Sequence, residues 1–292
     1  MPVFLGEDEV RALLPMGDAI GAVREAFELL AAGGARNHPR RRHRVPGGLL
    51  HVMDAALPSK GVMGLKSYTT FRDADRFHVL LYSSESGELL AILEADWLGR
   101  IRTGAASGVA VERLARSDAS RLAVLGAGRQ AETQIEAIRH VREIGEVRVW
   151  SRTREKLESF CRKLDAFPAD SARSAVLEAD IVVTATYARE PLLEGAWLSP
   201  GQCVIAMGSN HPKRRELDDV AVRRADLIAT DDIEQARVES GDLIHAGVDW
   251  DRVLPLARAE RAAEGEITLF ASQGIAALDV AVARLAHQSS KC

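Results

Sequence analysis

The chain has 292 residues, 47% of them hydrophobic and 27% charged, with a formal net charge of −4 at pH 7. This is ordinary for a soluble globular protein of one large or two smaller domains, and it provides no general attraction for nucleic acid or an anionic membrane. The three cysteines, Cys161, Cys203 and Cys292, form no CxxC pair and leave an odd thiol, which favours a reducing cytoplasm; the acidic start MPVFLGEDEV is unlike a signal peptide, and no apolar run approaches the ~18 residues of a membrane span.

Residues 1–35 read as a short strand followed by a helix. In DAIGAVREAFELLAAGG, Ile20, Val23, Phe27 and Leu30 recur every three or four positions, and Gly33 and Gly34 stop the run. A strand-rich stretch follows. HRVPGGLLHVM resembles a hairpin around Pro-Gly-Gly, and GVMGLKSYTTF and FHVLLYSSESGELLAILEAD add strands with a turn at Ser-Glu-Ser-Gly. At Arg102 the pattern changes to the small-residue helix RTGAASGVAVERLA, and from Arg121 short apolar strands (LAVLG, VRVW, IVVTAT, CVIAMG, DLIAT) alternate with helical patterns. The fold class expected is α/β: a Rossmann-type doubly wound parallel sheet (residues 116–274) inserted into an α+β substrate and dimerisation domain (residues 1–115 plus 275–292). The closing helix GIAALDVAVARLA would return to the first domain.

RLAVLGAGRQAETQ places Gly126, Gly128 and Ala131 as G-x-G-x-x-A between a strand and an amphipathic helix. Gly126 allows a tight turn, Gly128 lets a pyrophosphate approach the backbone, and Ala131 lets the helix pack closely on the sheet, with helix-terminal N–H groups facing the phosphates. NAD sites usually end the second strand with an acid on the ribose 2′-hydroxyl; here VRVWSRTREK ends in Ser151, Arg152 and Thr153. Those residues suit a 2′-phosphate, so the expected cofactor is NADP(H) in preference to NAD(H).

With GLKSYTTF, IRTGAASG, VLGAGRQAETQ, MGSNHPKRREL and TLFASQGIAALD in the same order, the chain resembles the ornithine cyclodeaminase/μ-crystallin family from about residue 10 to residue 285. The resemblance implies a homodimer in which sheets of two subunits pack together. It also implies a basic trio, Arg41, Lys66 and Arg102, gripping the carboxylate of a small imino or amino acid. Bidentate guanidinium groups and an ammonium suit that task. Arg40, Arg42 and Arg44 crowd Arg41, which leaves open which of them faces the substrate. The expected cofactor-binding set is Gly126, Gly128, Arg129, Gln130, Ser151, Arg152, Thr153, Thr184, Thr186, Gly208, Ser272 and Gly274, with Ser272-Gln273-Gly274 resembling a family segment near the nicotinamide.

One departure stands out. Where the cyclodeaminases carry a catalytic aspartate, the chain reads Gly208-Ser209-Asn210. Cyclodeamination needs a base, and an amide is not one; imine reduction needs only hydride and a proton. Lys66 and Asn210 are the expected catalytic residues, with Lys66 moving the proton and Asn210 hydrogen-bonding substrate or nicotinamide ribose. The expected activity is NADPH-dependent reduction of a small, cyclic α-imino acid. Alternatives are an alanine-type amino-acid dehydrogenase, an ornithine cyclodeaminase, or an NADPH-retaining binding protein. The histidines show no metal pattern; His78 and Asp279 read as structural.

Overall fold

The computed structural model describes residues 1–72 and 75–291; Cys292 lies outside them. The chain divides into two compact units, Met1–Ala105 with Gly274–Cys292, and Ala106–Gln273.

The first unit begins with β1 (Val3–Leu5), α1 (Glu7–Ala12) and α2 (Met16–Ala31). Helix α2 buries Met16, Ala19, Ile20, Val23, Ala26 and Phe27 and ends at Gly33, whose φ of +73° suits glycine. Strands β2 (Arg36–Val45), β3 (Gly48–Leu57), β4 (Val62–Phe71), β5 (Asp75–Ser83) and β6 (Leu89–Glu94) complete a six-stranded sheet of order β1-β6-β5-β4-β3-β2, with only β1 joined in parallel. The Pro-Gly-Gly hairpin forms as expected: Val45 pairs with Gly48 across Pro46 and Gly47, and Gly47 has φ +84°.

Helix α3 (Asp96–Leu114) starts six residues before the Arg102 boundary read from the sequence and carries the chain from the first unit into the second. Its early start has a long-range cause. The Glu7 carboxylate accepts from the Asp96 and Trp97 backbone N–H groups (2.5 and 2.9 Å), capping a helix from 89 and 90 residues away.

The second unit contains β7 (Arg121–Leu125), α4 (Arg129–Val141), β8 (Glu146–Trp150), α5 (Arg154–Leu164), β9 (Phe167–Pro168), α6 (Ala172–Val176), β10 (Ile181–Thr184), β11 (Cys203–Ala206), α7 (Asp219–Arg224), β12 (Leu227–Thr230), α8 (Ile233–Glu239), α9 (Gly241–Ala246), β13 (Val253–Pro255) and β14 (Thr268–Ala271). Its strands form one parallel eight-stranded sheet of order β13-β12-β14-β11-β10-β7-β8-β9. Strands β10, β11 and β14 are buried along their whole length, which is why they read as short unbroken apolar runs. Cys161 and Cys203 are free and buried.

The chain closes with α10 (Ala276–Ser289), which packs in the first unit against α2 and the sheet strands β3, β4 and β5. No described helix is long and apolar enough to cross a membrane.

Candidate functional site

In the first unit the sequence places charges where a core would be. Lys66 lies mid-strand on β4, opposite Met53 on β3 and Val79 on β5, so its side chain leaves the sheet on the face those two share. There it is 3% exposed, its Nζ donates to Asp279 Oδ1 on α10 at 2.8 Å, and it stands 5.6 Å from the centre of the Phe77 ring. Arg102 Nε donates to the same Oδ1 at 3.0 Å. Asp279 is fully buried, and its Oδ2 has no hydrogen-bond partner among the described residues. The sequence reading of Asp279 as structural is therefore incomplete: it is the shared counter-ion of the two cations expected to hold the substrate.

The structure does not bring Arg41 to this cluster. A register shift in β2 between His38 and Arg41 turns Arg41 outward, where it pairs with Asp54 at 3.2 Å, its side chain 68% exposed. Arg40 goes inward instead. It is 8% exposed and donates to Met53 Sδ (3.3 Å) and to the Gly274 carbonyl (2.9 Å). The resemblance points to Arg41 and leaves its neighbours open; a bulge, invisible in a run of basic residues, reverses the parity of the strand and puts Arg40 on the inner face. Gly274 has φ +70°, and a Cβ there would come within 2.6 Å of Arg102 Nη1, so this glycine seats two arginines. On the same sheet face His51, Tyr68 and Phe77 stack in register, at centroid distances of 4.1 and 5.1 Å. His78 pairs with Ser67 and so lies on the opposite face from Lys66.

Electrostatics follows from burial. Burial pulls the Lys66 ammonium down to about 8 against the opposing pull of Asp279, and Arg102 and Arg40 push it the same way as burial. Burial also raises the Asp279 carboxyl, but Arg102 and Lys66 outweigh it and hold the group below its ordinary range. His51 falls to about 4 through burial and then the charges of Arg42 and Arg40, so it is neutral at pH 7. Lys66, Arg102 and Arg40 against Asp279 leave this buried cluster with an excess of positive charge.

In the second unit the glycine turn has the form a dinucleotide requires. Gly126 has φ +125°, and a Cβ there would strike the Ala185 carbonyl oxygen. A Cβ on Gly128 would meet nothing within 4 Å, and Gly128 precedes α4 without any side-chain cap. This 13-residue helix thus starts at an exposed glycine with no side chain capping its first turn, the arrangement that takes a phosphate. Arg129 is exposed and Gln130 half-buried at the start of α4. At the end of β8, Ser151 is half-buried and Arg152 and Thr153 are exposed, with no carboxylate among them.

Other expected cofactor residues have internal partners. The Thr184 hydroxyl is fully buried and donates to Glu216 Oε2 (2.8 Å); the Thr186 hydroxyl donates to Glu216 Oε1 (2.6 Å). Ser272 donates to Asp231 at 3.1 Å. Gly208, Ser209 and Asn210 follow β11, with Asn210 half-buried and the Ser209 hydroxyl on the Arg214 carbonyl (2.6 Å). Sequence reasoning missed Glu216 and Asp242. Glu216 sits in MGSNHPKRREL, surrounded by charged residues that made it read as one more surface acid, whereas it is fully buried.

The sequence model of the ornithine cyclodeaminase/mu-crystallin family matches residues 1–291. Ketimine reductase mu-crystallin of Mus musculus is 34% identical, covering 99% of this chain and 97% of its own. Among solved structures, Thermococcus litoralis Delta(1)-pyrroline-2-carboxylate reductase in complex with NADH and L-proline superposes with a TM-score of 0.92 at 30% identity, over 99% of this chain and 97% of that one. An archaeal alanine dehydrogenase dimer with bound NAD gives 0.93 at 30% identity, over 99% and 96%.

Proposed function

The chain belongs to the ornithine cyclodeaminase/μ-crystallin family, and from that premise we propose that it is an NAD(P)H-dependent reductase of a small, cyclic α-imino acid such as pyrroline-2-carboxylate or piperideine-2-carboxylate. The observation that carries this reading is the buried group of Arg40, Lys66 and Arg102 around Asp279. Arg40 and Arg102 hold the substrate carboxylate through charge-assisted hydrogen bonds, each worth about 1.5–3 kcal/mol. Lys66, titrating at about 8, is close enough to neutrality to give a proton to the imine nitrogen and be recharged by solvent. Asp279 keeps Lys66 and Arg102 in place. The dinucleotide, when bound, supplies hydride; Gly126, Gly128 and the first turn of α4 would hold its pyrophosphate, and Ser151 and Arg152 its adenosine ribose. The absence of a carboxylate at the end of β8 supports NADPH over NADH, and the amide at Asn210 supports reduction over cyclodeamination.

We further propose a homodimer. In the first unit α10 packs on one side of the sheet, while Ala56, Met63, Leu65, Leu80 and Tyr82 line the other, with Met63 37% exposed. An apolar sheet face of this kind matches a second copy of itself.

The test is oxidation of NADPH with pyrroline-2-carboxylate and piperideine-2-carboxylate, set beside pyruvate plus ammonia and beside ornithine with NAD. Imine reduction without release of ammonia from ornithine is expected. Ornithine turnover at a comparable rate would overturn the assignment, and oxidation with pyruvate plus ammonia alone would move it to an alanine-type dehydrogenase.

A further inference from the structure

Glu216, between β11 and α7, has no part in the chemistry proposed above, yet its carboxylate accepts four hydrogen bonds. Oε1 accepts from the Thr186 backbone N–H (2.7 Å) and hydroxyl (2.6 Å); Oε2 accepts from the Thr184 hydroxyl and the Gly208 N–H, both at 2.8 Å. These donors lie at and beyond the C-terminal ends of β10 and β11. Strand order runs outward from β7 through β8 to β9 on one side and from β10 through β11 on the other. The reversal between β7 and β10 is the crevice where open parallel sheets take a dinucleotide. The segment that Glu216 holds also abuts the glycine turn: a Cβ on Gly126 would strike the Ala185 carbonyl and lie 3.2 Å from Thr186 Cγ2. On the other side, a Cβ on Gly208 would strike the Thr186 carbonyl. One buried side chain therefore ties together two backbone segments of the crevice, the first of which packs against the glycine turn.

The bonding is complete with the carboxylate ionised. Each oxygen accepts from one backbone N–H, which can only donate, and from one threonine hydroxyl; a protonated carboxyl could direct its O–H only at a threonine hydroxyl, which would then have to turn its own proton away. We propose that Glu216 is a positioning residue for the dinucleotide: its ionised carboxylate holds the 184–186 turn and Gly208 against the glycine turn, and taking up a proton releases part of this clamp and weakens dinucleotide binding. The inference rests on the reading that the second unit binds a dinucleotide.

The surroundings put that proton within reach. Burial raises the Glu216 carboxyl to about 7; the threonine hydrogen bonds oppose the rise and the Asp242 charge adds to it. Asp242, on α9, accepts from the Glu216 and Leu217 N–H groups (2.7 and 2.9 Å) and is raised by burial to about 6. Arg215 and His245 act on Asp242 and are the charged neighbours on that side. The segments after β10 and β11 contribute hydroxyls and amides.

The experiment is the dissociation constant of NADH, read by tryptophan quenching from pH 6 to pH 8.5. NADH carries no 2′-phosphate, so a limb in this range belongs to the protein. The expected profile weakens below about pH 7 with a slope of up to about tenfold per pH unit, the limit for one coupled proton. Glu216→Gln should bind weakly at all pH values with the limb gone, because its amide N–H₂ faces donors. Thr186→Val removes one hydroxyl donor, which should raise the Glu216 carboxyl further and move the limb to higher pH; this variant answers the question if Glu216→Gln does not fold. A limb that persists in Glu216→Gln or is unmoved in Thr186→Val overturns the inference. NADH binding independent of pH overturns it and leaves the dinucleotide reading standing, while no binding of NADH or NADPH at any pH overturns both.

Discussion

Replacing Asp279 with asparagine keeps the shape of the buried cluster and removes the negative charge that Lys66 and Arg102 share. At 2.8 Å, and with an effective dielectric of ~20, the attraction between Asp279 and Lys66 is about 6 kcal/mol. Most of this does not appear as lost stability, because Lys66 has an escape. With its ammonium already drawn down to about 8, shedding the proton at pH 7 costs only about 1.4 kcal/mol. Arg102, bonded to the same oxygen at 3.0 Å, has no such escape and stays charged. The expected loss is therefore about 3 kcal/mol at pH 6.5, the low end for breaking a buried pair from one side. The pH dependence has a definite sign. Lys66 titrates below its ordinary 10.5 in the folded chain, so its contribution to stability is full above pH 10.5 and is lost as the pH falls through about 8. Asp279→Asn lowers that group further, so the variant's deficit is largest at low pH and shrinks by about 1.4 kcal/mol per unit of added shift once Lys66 is neutral in both proteins. Urea unfolding at pH 6.5 and 9.5 measures this. Trp97, in the first unit and flanked by Arg11 and Arg100 at 4.2 and 5.1 Å, serves as reporter once Trp150, Trp197 and Trp250 of the second unit are replaced by phenylalanine. A loss below about 1 kcal/mol at pH 6.5, or the same loss at both pH values, would refute the reasoning.

Arg152→Ala should weaken NADPH about 10- to 100-fold and leave NADH almost unchanged, the value of one charge-assisted hydrogen bond to the 2′-phosphate; equal losses measured by fluorescence titration would show that Arg152 has no such role. Gly126→Ala and Gly128→Ala should part company. The first combines φ +125° with a collision against the Ala185 carbonyl and should lower stability, by about 1–3 kcal/mol from backbone strain alone; the second enters open space and should reduce dinucleotide affinity while leaving the melting temperature in place. Light scattering at micromolar concentration should return the mass of a dimer, and Met63→Glu should shift it toward the monomer; a monodisperse wild-type monomer would count against the proposed sheet pairing.

The parts of the molecule that read directly from the sequence are those governed by local rules. Strand-forming runs between turn residues marked β3 and β4, a Pro-Gly pair fixed the hairpin, and G-x-G-x-x-A between an apolar strand and an amphipathic helix marked the turn at Gly126. What stayed hidden depends on residues far apart in the chain. The start of α3 needs Glu7 as its cap, and the inward turn of Arg40 depends on a bulge that no residue in a run of arginines announces. Strand β14 is only four residues long and enters the sheet between β11 and β12, out of chain order. Asp279 and Glu216 were hidden for a different reason. A carboxylate in a sequence reads as surface by default, and only the folded chain shows that each meets its donors in the interior.

The discontinuity of the first unit has a consequence for biosynthesis. Asp279 follows Lys66 by 213 residues and Arg102 by 177, with the whole second unit encoded between. At translation rates of roughly 5–20 residues per second, Lys66 leaves the ribosome about 10–40 s before its counter-ion exists. The second unit is contiguous and is free to fold during that interval. The sheet of the first unit must wait, with Lys66 and Arg40 on its future inner face and the helix that packs on it still unmade. Those same charges keep an unfinished strand-rich segment soluble, since like-charged side chains on a sheet face oppose pairing with other nascent chains. The groups proposed to grip the substrate thus guard the chain before there is any site for them to form.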